Sequence, residues 1–121
     1  MFRETLQKAL NNTEKALGVL IMGTDGMTVE QVWKNEAKPL NSEIVLAEYT
    51  SLLRSARRVG DELLFDRVRE LTISGDEVVF IMRLVNPDYY LAMVLETNGN
   101  FGRGRYELLC AEMILLKELA L

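Results

Sequence analysis

Residues 16–22 read Ala-Leu-Gly-Val-Leu-Ile-Met, an apolar run with no polar interruption, and Thr24-Asp25-Gly26 and a β-branched, aromatic stretch over 28–34 follow it. Seven residues are too few for a buried helix, whose usual minimum is about 10–12, but they suit a strand. An amphipathic strand would alternate, so an unbroken run means that both of its faces are covered and that it lies centrally in a sheet. The turn residues then return the chain as a β-hairpin. Its second strand sets Val29, Gln31 and Trp33 against Thr28, Glu30 and Val32, the pattern of a half-exposed strand. A doubly covered strand requires helices on both sides of its sheet.

Those helices are legible on either side of the hairpin. Phe2, Leu6, Ala9, Leu10 and Thr13 line one side of a helix over 2–14. Lys38-Pro39-Leu40-Asn41-Ser42 then breaks the chain, and the Asn41 or Ser42 side chain is expected to cap the helix that follows over 42–60. In that middle helix Val45, Tyr49, Leu52, Ala56 and Val59 recur at steps of four and three, the spacing of a helix-to-helix seam. Leu46 and Leu53 form a second stripe beside it, so one stripe can pack on the sheet and the other on a neighbour. The competing reading is a single wide core-facing surface in a monomer.

Beyond Gly60, residues 67–74 alternate, Gly75-Asp76 turns, 78–85 returns as an apolar strand, and Asn86-Pro87-Asp88 leads into 89–96. After a loop over 97–104, Tyr106, Leu109, Met113, Leu116 and Ala120 carry helical spacing through 105–120, a helix expected to touch both sheet and first helix. The expected order is α-β-β-α-β-β-β-α: an α+β (α/β) fold with a five-stranded antiparallel sheet flanked by helices, in one domain over 1–121. No internal repeat, low-complexity tract or linker interrupts it.

Composition narrows the chemistry. The chain has 121 residues, 49% hydrophobic and 26% charged, with a net charge of −4. That balance opposes nucleic-acid binding, which needs clustered cations to displace counterions. Arg54, Arg57 and Arg58 form the one basic cluster, a solvated helix face or a contact for an acidic partner surface. Cys110 stands alone in an apolar helical stretch, where a thiol acts as a small hydrophobe. The N-terminus lacks the basic and long apolar regions of a signal peptide, and no stretch is long enough to span a membrane. A cytoplasmic protein without membrane insertion is therefore expected.

The sequence contains no histidine, which rules out Ser-His and Cys-His nucleophile pairs. Asp25, Asp61, Asp66, Asp76 and Asp88 all fall at turns or element ends, where an aspartate bonds nearby backbone. No catalytic residue, cofactor or metal is expected, and the chain does not read as an enzyme. Gly99-Asn100-Phe101-Gly102-Arg103-Gly104 follows a strand but matches neither a P-loop nor a dinucleotide fingerprint, so it reads as a flexible connection. Were an anion to bind there, Arg103 and Arg105 would supply the charge.

Residues 16–27 resemble the first hairpin of the Roadblock/LC7 family, with its aspartate-glycine turn. Tyr90-Leu91-Ala92-Met93-Val94-Leu95 resembles the family's last strand, and Asn100-Phe101-Gly102 with Arg105 and Leu108 its lead-in to the last helix. The likeness runs from Phe2 to Leu119. It implies a profilin-like fold and a homodimer whose middle helices pack side by side while the third strands, here 68–74, pair into one continuous sheet. The interface would then contain Val45, Tyr49, Leu52, Ala56, Val59, Leu71 and Ile73. Prokaryotic members of the family commonly bind a small Ras-like GTPase over the paired middle helices, sometimes promoting its hydrolysis, with Arg54, Arg57 and Arg58 the candidate contacts. A scaffold subunit without effect on nucleotide turnover is the alternative, and a small-ligand sensor a second one.

Overall fold

In the computed structural model, which describes residues 2–35 and 38–119, the elements follow the expected order. They are α1 (Phe2–Asn12), β1 (Ala16–Gly23), β2 (Thr28–Trp33), α2 (Ser42–Glu62), β3 (Glu70–Ser74), β4 (Val78–Leu84), β5 (Tyr89–Glu96) and α3 (Phe101–Leu119). The five strands form one antiparallel sheet in the order β2-β1-β5-β4-β3. β1 is covered on both faces: Val19 and Ile21 join one core cluster, Leu20 and Met22 the other.

The first cluster lies under α1 and α3, which contribute Leu6, Ala9 and Leu10, and Leu108, Ala111 and Leu115. The second lies under α2 through Leu46 and Leu53. Both leucines are fully buried, and each stabilises the fold by on the order of 1.5–3 kcal/mol relative to exposure. The hairpin turn is closed by Asp25, whose Oδ1 accepts the Met27 N–H at 3.0 Å, while Gly26 takes the positive φ of 92° that a side chain would disfavour.

Three expectations need correction. Asn41 does not cap α2 with its side chain: it sits in the left-handed region at φ 62° and makes no such bond. Ser42 is no substitute, because its Oγ is buried without a hydrogen-bond partner; Leu40 and Asn41 instead form a backbone turn in which the Ser42 N–H reaches Pro39 O at 3.2 Å.

α3 starts at Phe101, inside the segment expected to be loop. Asn100 is its N-cap, the side-chain Oδ1 accepting the Arg103 N–H at 3.0 Å. The helix also buries a different stripe from the expected one. Tyr106, Leu109, Met113 and Leu116 are exposed, while Leu108, Ala111 and Leu115 face the sheet; Ala120 lies outside the described residues. Size decides between the two stripes. Gly104 and Ala111 stand on the buried side, and a Cβ at Gly104 would lie 3.0 Å from Met93 Sδ, so small residues there let the helix approach.

Candidate interaction surface

α2 divides into a buried stripe and an open flank. Leu46, Thr50 and Leu53 face the sheet, and Gly60 is buried against the segment that leads into β3; Val45, Tyr49 and Ala56 are half-buried, and Leu52 and Val59 remain 51% and 48% exposed. Contacts fix which way the flank looks. Tyr49 packs edge-on against Phe80 of β4, with ring centroids 5.1 Å apart, and Phe80 is the register partner of Ile73 on β3. Thr50, on the other side of the stripe, hydrogen-bonds Tyr90 of β5. The open flank therefore lies on the β3 side of the sheet.

There it meets an edge strand. β3 pairs only with β4, and its half-buried Leu71 and Ile73 pack on the α2-side cluster together with Val45 and Tyr49. The opposite edge, β2, is partly covered, because Arg3 of α1 donates to the Gln31 carbonyl at 3.1 Å and pairs with Glu30. On the α3 side Glu70 anchors β3: it binds Arg105 at 2.7 Å and Arg83 at 3.5 Å, and Arg83 also reaches Glu112. A firmly held, unpaired edge beside a half-exposed helical seam is the kind of surface that soluble proteins normally pair or cover.

The arginine cluster does not act as one patch. Arg54 donates to the Thr24 carbonyl and Arg57 to that of Pro87 at 3.0 Å, both on the turns at one end of the sheet. Arg58 pairs with Glu62 one turn further along α2, at 3.7 Å. The structure instead groups Arg57 with Arg67 and Arg69, which sequence reading left unassigned, around a cleft of about 540 Å³ that Asp61 and Glu112 also line. Spacing could have shown only that Arg67 and Arg69 share a face; Arg57 joins them through the packing of α2.

Arg103 and Arg105 are engaged with carboxylates. Arg103 pairs with the buried Glu107 at 2.7 Å, and Arg105 with Glu70. Among the described residues no three His, Cys, Asp or Glu side chains are placed to hold a metal ion, and no helix is long and apolar enough to cross a membrane. Burial pushes the Tyr90 phenol above its ordinary pKa, opposed by its Thr50 hydrogen bond and the nearby Arg54 charge. That group lies inside the core under α2, away from the open flank.

Comparison with known proteins places this geometry. The sequence profile described as the Roadblock/LC7 domain matches residues 2–95. The chain is 36% identical to MglC from Myxococcus xanthus, covering 98% of each chain with a TM-score of 0.70. A Roadblock/LC7 domain from Streptomyces avermitilis superposes with a TM-score of 0.83 at 13% identity, over 98% of this chain and 97% of that one. The gliding protein MglB from Thermus thermophilus gives 0.84 at 16% identity, over 96% and 86%. At those two low identities the likeness is one of fold alone. No curated protein sequence matches the chain.

Proposed function

The chain belongs to the Roadblock/LC7 family, and from that footing we propose that it is a homodimeric, non-enzymatic regulator or adaptor of a small Ras-like GTPase. The observation that carries the reading is the junction of the open α2 flank with the unpaired edge of β3, one surface built from two elements. Two copies joined there by a two-fold axis would bury both liabilities at once, since an isologous contact uses the same patch twice. Paired α2 helices would then present a composite face that neither chain has alone. The hydrolytic groups belong to the GTPase; docking lowers its barrier by positioning its own switch residues.

Arg54 and Arg57 are each tied to a backbone carbonyl of their own chain, so this role does not call on either as an arginine supplied in trans. The deciding experiment mixes the purified chain with the small Ras-like GTPase encoded nearest to it, and reads both complex formation and single-turnover hydrolysis. Association with an altered rate is expected. A partner that neither binds nor changes its rate would sink the regulator reading.

One observation favours a second reading. Tyr106, Leu109, Met113 and Leu116 form an exposed apolar stripe along α3, on the opposite side of the sheet from α2. A chain with two binding faces can act as a scaffold subunit that joins proteins without touching nucleotide turnover. Binding with an unchanged hydrolysis rate would support that role instead.

A further inference from the structure

The free edge of β3 has a direction written into its charges. Arg67 and Arg69 precede it, Asp76 and Glu77 follow it in the β3–β4 turn, and all four residues are exposed. Among the described residues none of these four side chains forms an ion pair. Parallel alignment with a second copy would set like charges together; antiparallel alignment sets opposite charges together at both ends.

The ladder fixes the register as well. Leu84 N donates to Arg69 O, and Gly75 N to Val78 O, so the odd-numbered residues from Arg69 to Gly75 point their backbone groups at β4. Glu70, Thr72 and Ser74 consequently turn theirs to the open side. Directly opposed residues share a face, so a two-fold axis between two β3 strands passes through a residue and not between residues. An axis at Leu71 or Ile73 leaves one of the three outward residues unmatched within the strand. An axis at Thr72 pairs Thr72 with the partner's Thr72 and Glu70 with the partner's Ser74, and sets Leu71 against the partner's Ile73 on the α2 side.

Counted on from that register, Asp76 falls opposite the partner's Val68 and Glu77 opposite the partner's Arg67, and Val68 and Arg67 both line the basic cleft. We propose that two chains pair antiparallel about Thr72 and that the cleft edged by Arg57, Arg67 and Arg69 receives the acidic β3–β4 turn of the second copy. The cleft's own carboxylates leave room for this. Glu112 is already paired with Arg83, so Asp61 is the one cleft acid that competes for the arginines. The inference rests on the homodimer proposed above and adds its axis, its register and a site that is incomplete in either chain alone.

Two experiments test it, with the full chain in sedimentation and the fold checked by circular dichroism. The variant Arg67→Glu/Arg69→Glu is acidic at both ends of the edge, and Asp76→Lys/Glu77→Lys is basic at both. Each should weaken self-association at least tenfold, while an equimolar mixture should recover it as a heterodimer. In a Cys110→Ser background, Thr72→Cys should form an intermolecular disulfide under mild oxidation and Ser74→Cys should not. Across a hydrogen-bonded pair the Cα atoms lie about 5.5 Å apart, within disulfide range.

Charge variants that dimerise like the parent, a mixture of folded variants that fails to associate, or cross-linking at 74 in place of 72 would each overturn the register and leave the homodimer standing. A parent chain that sediments as a monomer would overturn the homodimer itself.

Discussion

Single atoms decide how α2 sits on the sheet. Thr50 Oγ1 has one proton and gives it to Leu46 O at 2.6 Å, so the Tyr90 hydroxyl must be the donor in the bond that joins them. Tyr90→Phe removes that donor but leaves Thr50 satisfied, and the loss should be about 0.5–1.5 kcal/mol by urea denaturation at neutral pH. The sign of the pH effect follows from burial. With its folded pKa raised above the unfolded value near 10, Tyr90 contributes its full stability below pH 10 and loses it as the pH climbs through the raised value. Tyr90→Phe should therefore show a shallower alkaline loss than the parent; equal slopes would mean the phenol is not held in its neutral form. Gly60 makes a different demand. A Cβ there would stand 2.3 Å from Asp66 O and 3.3 Å from Val68 Cγ2, so Gly60→Ala must push the chain leading into β3. A loss of roughly 1–3 kcal/mol, with an unchanged urea dependence, is expected.

At the scale of elements, hydrophobic period was the informative signal and packing the missing one. The doubled stripe of α2 was readable because Leu46 and Leu53 stand one step from Val45 and Leu52, and the structure buries the first pair more deeply than the second. In α3 two apolar stripes compete, and periodicity cannot rank them; the small side of the helix wins because Gly104 and Ala111 allow a closer approach to the sheet. Glycines at 99, 102 and 104 concealed the start of that helix, although Asn100 three residues before Arg103 was the available cue. The Arg57, Arg67 and Arg69 grouping rests on a long-range contact and had no local signature. Leu52→Arg tests the open flank. Half-exposed Leu52 lets a guanidinium reach water in a single chain, so folding should change by no more than about 0.5 kcal/mol, whereas burying an unpaired charge in the seam should cost about 3–5 kcal/mol of association. Sedimentation should find a folded monomer. An undisturbed dimer would place the interface elsewhere, and Leu53→Arg, one residue along on the buried stripe, should unfold the chain instead.

For the molecule as a whole, the question is whether folding is complete within one chain. Both faces of the sheet are filled, by α1 and α3 on one side and α2 on the other, so the isolated chain has a finished core and should fold alone. What it leaves open is lateral: the α2 flank and the β3 edge, continuous with each other. Association through that surface binds the folded state and not the unfolded one, so it must raise the melting temperature by mass action. For a chain of this size each tenfold increase in protein concentration should raise Tm by roughly 2–4 °C while dimers dominate. Leu52→Arg should melt at the lower, dilute-limit temperature whatever its concentration. Scanning calorimetry over two decades of concentration separates the cases, because a core defect lowers both curves in parallel and only a lost interface removes the slope. A flat response in the parent chain would mean that the exposed flank does not meet its own copy, and that a different protein covers the edge of β3.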